Sequence, residues 1–322
     1  MSEIFLSNEV LIYLLSESVT YVLIFIAALL SLQLIIKWDF GSYSEIQFTL
    51  EKRAYLVMTI VTFAFIIKIV TLPYFAYGID RLSDLVPGAM CASGVIGANG
   101  YGYPLLGLKI ATVFISGTWI IINNLDLQSP DYPFFRVKTG LFLLIAILIS
   151  IELFLDFAYF GNITTTKPVS CCSVTFGQQG GNNPLPFGLD TTKLLVLFYL
   201  FYFLTIISAI GRYAATGFVA NILFLAAAYY AVVYFFGTYI YELPTHKCPF
   251  CMLQKEYYYV GYLVWATLFS GTFFGINSLP LKWFAKKDIL YTYKFSLFFN
   301  TLFVLLVSAY VLVYYLKNGV WL

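Results

Sequence analysis

The chain is short of charge. Only 11% of its 322 residues are charged, whereas 61% are hydrophobic and 20% are aromatic. A soluble protein of this size needs much more polar surface than this composition supplies. The sequence therefore predicts an integral membrane protein in contact with the lipid bilayer. The formal net charge of +2 gives no reason to expect nucleic acid as a partner.

Other features are also missing, and each excludes a class of protein. The only histidine is His246, which excludes a bis-histidine haem or a three-histidine metal site within this chain. No Walker-type phosphate-binding motif occurs, so ATP-driven transport is not indicated. The first basic residue is Lys37, and an N-terminus without basic residues is not typical of a cleaved signal peptide. We therefore expect the first apolar segment to be retained.

The apolar residues fall into segments long enough to cross a bilayer as helices, which takes roughly 20 residues. We predict an all-α protein with about eight transmembrane helices, over residues 19–36, 54–76, 105–122, 138–160, 193–211, 217–240, 257–277 and 295–316. The predicted organisation is a first four-helix unit over 1–160 with the Cys91 loop, a loop over 161–192, and a second four-helix unit over 193–322. Both halves carry cysteine in their second connection, which hints at two four-helix repeats.

The basic residues predict the orientation. With the N-terminus outside, the inner connections hold ten of them and the outer connections six. The run at 282–287, with Lys282, Lys286 and Lys287, is the clearest inner marker. Since basic residues favour the cytoplasmic side, both termini are predicted to lie outside. We expect a prokaryotic cytoplasmic membrane as the location.

In that orientation all the cysteines lie on the outer, oxidising side. They are Cys91, Cys171, Cys172, Cys248 and Cys251. Because five is an odd number, at most two disulfides can form and one thiol is left over. The glycine-rich stretch around Cys91 predicts either a loop facing a ligand or partner, or a plain connector.

The Cys248-Pro-Phe-Cys251 pair lies just before the seventh predicted helix. At a helix N-terminus the dipole and the exposed backbone N–H groups favour thiolate over thiol, and His246, Lys247 and Lys255 act in the same direction. The pattern predicts a thiol–disulfide redox centre or a soft-metal site, and the alternative is a structural disulfide or two unreactive thiols in a short loop.

The adjacent Cys171 and Cys172 lie in a loop rich in glycine, asparagine and proline. Neighbouring cysteines can form a strained disulfide, bind a soft metal together, or pair elsewhere. Because strain makes a disulfide easier to reduce, an exchange role is one prediction. The alternative is that both cysteines only fasten this loop to other loops.

The run Cys248-Pro-Phe-Cys251-Met-Leu-Gln-Lys255 resembles the motif of the DsbB-type membrane disulfide generators, over residues 245–262 only. The resemblance implies that Cys248 and Cys251 pass electrons to a bound quinone, and that Lys255 favours the thiolate and contacts the quinone oxygen. Three features differ from the family: Lys255 replaces an arginine, the second cysteine pair precedes the motif, and there are eight helices rather than four.

Aromatic residues follow the motif, and Tyr258 and Tyr262 are candidates to flank a quinone ring beside Lys255. The alternative is the ordinary aromatic belt at the membrane surface.

The leading hypothesis is a membrane thiol–disulfide oxidoreductase that exchanges electrons between the thiols of an extracytoplasmic protein and a membrane quinone. Cys248 and Cys251 form its membrane-proximal pair, and Cys171 and Cys172 form its shuttle. The second hypothesis is binding or transport of a thiophilic metal such as copper, with Met90 or Met252 as auxiliary ligands. Its ligand candidates are Cys91, Cys171, Cys172, His246, Cys248 and Cys251. The third is an accessory subunit of a membrane complex, with structural cysteines.

Ionisable residues also occur within the predicted helices. Lys68 and Glu152 lie at a similar depth and are predicted to pair, either structurally or as part of a proton path. Asp156 lies on the same helix as Glu152. Lys109 lies near an outer helix end, from which its side chain can extend to the surface.

Overall fold

A computed structural model describes residues 3–38, 44–129, 132–169, 188–286 and 288–322. This part of the chain is helical and contains no β-strand. Eight of its helices are long and apolar enough to cross a membrane, which confirms the predicted all-α class and helix number. We label them α1 (Asn8–Lys37), α2 (Glu45–Arg81), α3 (Gly102–Leu127), α4 (Phe135–Gly161), α5 (Thr191–Gly211), α6 (Ala214–Ala231), α7 (Val260–Ala285) and α8 (Leu290–Asn318).

Local sequence explains several helix ends. The hydroxyl of Ser44 accepts a hydrogen bond from Gln47 N at 3.3 Å and so caps the first turn of α2. Gly319 ends α8 with a φ of 72°, a conformation that glycine adopts without steric cost. Helix α6 does not stop at Ala231, because the chain continues through a π-helix, Val232–Phe236, into the short helix Gly237–Tyr241. Such π-turns are frequent near functional sites.

The chain divides into two compact units. Unit 1 comprises Met1–Pro87 and Val95–Pro168 and contains α1 to α4. Its helices form a closed ring in which α1 packs on α2 and α4, and α3 packs on α2 and α4. Large aromatic side chains fill the interior; Phe65, Trp119 and Phe142 are all fully buried.

Unit 2 comprises Gly88–Gly94 and Val169–Leu322 and contains α5 to α8. Its helices have the same cyclic order of neighbours, α5, α6, α7 and α8, with α8 packing back on α5. Phe198, Phe224 and Phe303 fill the interior. Gly88–Gly94, which carries Cys91, therefore packs with the second half of the chain, whereas the sequence-based division assigned the Cys91 loop to the first.

Candidate functional site

Three thiols come together in unit 2. Cys91 precedes the short helix Ala92–Ile96, and Cys248 and Cys251 lie between Tyr241 and the start of α7. Their sulfur atoms all lie within 4.8 Å of one another, and Cys91 Sγ is 3.8 Å from Cys248 Sγ. They are thiols rather than disulfides, and their exposed fractions are 0%, 1% and 6%. We call this group the three-thiol centre.

The hydroxyl of Tyr241 fixes the C-x-x-C loop. It donates a hydrogen bond to the carbonyl oxygen of Cys248 and accepts one from Met252 N at 3.1 Å. Tyr241 itself is buried, and it lies at the end of the short helix that follows the π-helix. One buried side chain therefore holds both ends of the turn that carries the two cysteines.

Two further contacts support the same loop. Trp265 Nε1, on α7, donates to the carbonyl oxygen of Pro249 at 3.2 Å. Phe250 N donates to Cys248 Sγ at 3.4 Å, so that this sulfur is an acceptor of a backbone hydrogen bond.

Gly261 brings the first turn of α7 against the loop. A Cβ atom at this position would lie 2.5 Å from Met252 Cγ and 2.9 Å from the Met252 carbonyl carbon. Only glycine fits such a close approach of backbone to backbone. The Cys91 segment is tied to the same loop, because Gln254 Nε2 donates to the carbonyl oxygen of Met90 at 3.1 Å.

The predicted position of the cysteines at a helix N-terminus is wrong. Cys251–Leu253 forms a 3₁₀ turn, Lys255–Tyr257 forms a second, and α7 begins only at Val260. Between the second turn and α7, Tyr258 and Tyr259 both adopt the left-handed conformation, with φ of 53° and 57°. They redirect the chain before the helix starts. The dipole of α7 therefore does not act on the thiols, since its effect is confined to the first turn.

The residues predicted to surround a quinone are more exposed than the three thiols. Lys255 is exposed, and Tyr258 is 92% exposed, whereas the thiols are buried. Tyr262, in the first turn of α7, is half-buried. The quinone site therefore remains a prediction from the resemblance.

The other residues predicted to act at the thiol site occupy different environments. His246 is half-buried beside Tyr241, with ring centroids 4.5 Å apart, and burial lowers its pKa. It does not belong to the group whose ligand atoms lie within 4.8 Å of one another. Lys247 Nζ lies 5.2 Å from the ring centroid of Tyr234. Met252 is fully buried, whereas Met90 is 72% exposed.

Cys171 and Cys172 lie outside the described residues, as does most of the loop predicted over 161–192. Their predicted roles as a shuttle pair or as metal ligands stay predictions.

The ionisable residues in α1 to α4 form a separate group. The predicted pair of Lys68 and Glu152 is confirmed, with Nζ 2.5 Å from Oε1. The prediction for Lys109 is wrong, because its side chain is buried and its Nζ lies 2.7 Å from Glu152 Oε1 and 2.9 Å from Asp156 Oδ2. Two carboxylates hold the ammonium inside the unit, so the side chain does not extend to the surface.

Two residues of the site, Tyr241 and Gly261, were not predicted from the sequence. Gly261 gave a usable signal, because it is the one small residue in an aromatic run from Tyr257 to Tyr262. Tyr241 gave none, as it is one of 27 tyrosines. Comparisons with protein-family models, with curated proteins and with solved structures gave no match.

Proposed function

We propose that unit 2 binds a thiophilic metal ion, Cu(I) above all, through Cys91, Cys248 and Cys251. The observation that carries this proposal is the convergence of three buried sulfurs from two loops. For three sulfurs within 4.8 Å, with one pair 3.8 Å apart, the equidistant point lies roughly 2 to 2.6 Å from each, and thiolate–metal bonds are about 2.3 Å long.

The chemistry of the surroundings also favours a soft ion. The three thiols belong to a buried apolar cluster that includes Phe236 and Met252, and thiolates in such surroundings select Cu(I) over hard cations. Binding releases thiol protons to water, and the hydrogen bond from Phe250 N to Cys248 Sγ offsets part of the resulting negative charge. The exposed fractions of 0% to 6% match a closed binding site better than a site of exchange with another protein.

The test is a Cu(I) titration of the purified, reduced full chain against a chromophoric Cu(I) chelator. We expect one tightly bound Cu(I) per chain, and its loss in each of Cys91→Ser, Cys248→Ser and Cys251→Ser. X-ray absorption should give three sulfur neighbours. The matched control is Cys171→Ser with Cys172→Ser, which should keep the bound ion. Unchanged stoichiometry in Cys91→Ser would refute the proposal, because Cys91 is the ligand that only the fold brings to the site.

The second candidate function is thiol–disulfide exchange, which the 3.8 Å approach of Cys91 Sγ to Cys248 Sγ favours. Oxidation of the Cys248 and Cys251 thiols to a disulfide releases two electrons and two protons, and a membrane quinone that accepts them becomes a quinol. The Cys91 thiolate then attacks Cys248 Sγ, which forms the Cys91–Cys248 bond and releases the Cys251 thiolate. An extracytoplasmic thiol protein would be the electron donor.

Removal of Cys251 tests this candidate. In oxidised Cys251→Ala protein, Cys248 has lost the partner with which it would close a disulfide. Peptide mapping should then find Cys248 joined to Cys91, or to Cys171 or Cys172 if these form the shuttle. Recovery of Cys248 as a thiol in quinone-treated membranes would refute the exchange reaction and leave the metal proposal untouched.

The orientation belongs to the same proposal. With both termini outside, the three-thiol centre lies on the extracytoplasmic side of a prokaryotic cytoplasmic membrane, where copper and oxidants first meet the protein. The excess of basic residues in the connections predicted to lie inside supports this orientation.

A further inference from the structure

Unit 1 contains five buried ionisable side chains from four helices, which we call the acid–lysine cluster. They are Glu17 on α1, Lys68 on α2, Lys109 on α3, and Glu152 and Asp156 on α4, each at most 3% exposed. Lys68 Nζ lies 2.6 Å from Glu17 Oε2 and 2.5 Å from Glu152 Oε1. Lys109 Nζ lies 2.7 Å from Glu152 Oε1 and 2.9 Å from Asp156 Oδ2.

The charges in this cluster do not balance. Three carboxylates and two ammonium groups give a net charge of −1 when all are ionised, and a buried unbalanced charge costs several kcal/mol. The neighbouring polar groups are neutral hydroxyls: Thr71 Oγ1 donates to Glu17 Oε1 at 3.0 Å, and Tyr13 Oη donates to Asp156 Oδ1 at 3.0 Å. One more positive charge is needed to make the cluster neutral.

Among the described residues, the other ionisable groups near this end of α4 do not supply that charge. The hydroxyl of Tyr159 donates to the carbonyl oxygen of Val95, and Glu3, in the short helix that packs on α4, is exposed. Glu152 Oε2 is buried and accepts no hydrogen bond from any described residue. Oxygens of the three acids lie within 4.8 Å of one another. The cluster therefore has both an uncompensated charge and a vacant acceptor.

We infer that the acid–lysine cluster is a proton-binding site, in which Asp156 holds one proton, taken from water, near neutral pH. Glu152 stays ionised because its Oε1 contacts both lysines. Glu17 has the shorter lysine contact, 2.6 Å against 2.9 Å for Asp156. Tyr13 Oη lies 3.0 and 3.2 Å from the two oxygens of Asp156, and a phenol can donate to a carboxylate or accept from a carboxylic acid.

This site belongs to unit 1, whereas the three-thiol centre belongs to unit 2, and the inference does not depend on the function proposed for that centre. Ionisable groups within a membrane commonly serve as steps in proton relays. A carboxyl that exchanges one proton with water while two lysines stay charged has the chemistry of such a step.

Infrared spectroscopy of the purified full chain in sodium-free buffer tests the inference. Near pH 7 exposed carboxyl groups are ionised, since their pKa values are about 4, so a carboxylic-acid C=O band reports a buried acid. We expect such a band, an isotope shift of it when aspartate carries ¹³C in its side-chain carboxyl group, and its loss in Asp156→Asn. Asp126→Asn is the matched control, because Asp126 is equally buried but forms a one-to-one pair with Lys138; it should keep the band.

Three results would overturn the inference. One is the absence of any acid band, and another is a band that shifts with labelled glutamate but not with labelled aspartate. The third is a band that disappears, with a rise in Tm, when Na⁺ replaces choline, because a metal cation would then supply the missing charge. The isotope shift is measured on the wild-type chain, so the test holds even if Asp156→Asn fails to fold.

Discussion

Replacement of Tyr241 by phenylalanine is the sharpest test of how the three-thiol centre is held. The change removes one oxygen atom and with it two buried hydrogen bonds, one to the carbonyl of Cys248 and one from the N–H of Met252. Both residues are at most 1% exposed. Each buried group that loses its hydrogen bond costs about 1 to 3 kcal/mol. The loop should therefore open more easily by at least about 2 kcal/mol, which is a factor of roughly 30 in the open population.

The assay is the rate of maleimide labelling of the reduced, metal-free protein, read at each cysteine by mass spectrometry. When the loop opens and closes faster than it reacts, the rate follows the open population. We expect Cys248 and Cys251 to label roughly 30-fold faster in Tyr241→Phe. Tyr239→Phe is the matched control, since Tyr239 lies in the same short helix and its hydroxyl accepts a hydrogen bond from Leu322 N, at 3.3 Å, and not from the C-x-x-C loop as described. Equal rates in the two variants would refute the role of Tyr241.

Four other predictions follow from single contacts. Gly261→Ala should cost about 1 to 3 kcal/mol of stability through overpacking against the loop and weaken Cu(I) binding in the chelator titration. Burial lowers the pKa of His246 below its usual 6.5, so as pH falls the imidazole is protonated in the unfolded chain before it is protonated in the folded one. The free energy of unfolding should therefore fall as pH drops below 6.5. His246→Gln should reduce this fall, measured by thermal melts. Asp126→Asn should cost about 3 to 5 kcal/mol in denaturant unfolding, because its lysine partner stays buried without a counter-charge. In intact cells an impermeant maleimide should label Tyr258→Cys but not Trp283→Cys; the reverse pattern would refute the N-out orientation.

The helices were predictable because the bilayer imposes a simple rule on composition. Predicted and observed bounds agree closely for α4, 138–160 against Phe135–Gly161, and for α5, 193–211 against Thr191–Gly211. In both cases a mainly apolar segment is bounded by polar residues or turns, so local sequence determines where the helix begins and ends.

The site was less predictable, because its parts are brought together by tertiary packing. The C-x-x-C pair was visible as a motif, but nothing local indicates that Cys91 lies against Cys248, 157 positions away. The two left-handed tyrosines before α7 were equally hidden, since tyrosine has no preference for that conformation. The Lys68–Glu152 pair could be predicted because helical depth follows from residue counting. The ion pairs of Lys109 could not be predicted, because its partners on α4 depend on which face of α3 turns inward.

The packing of Gly88–Gly94 with unit 2 has a consequence for biosynthesis. Cys91 leaves the ribosome 157 residues before Cys248, which at 5 to 20 residues per second is roughly 8 to 30 s earlier. During that interval α2 and α3 are already made, while the segment between them lacks its later neighbours Cys248 and Gln254 in the C-x-x-C loop. The nascent chain must keep this thiol reduced until the last third of the protein is inserted.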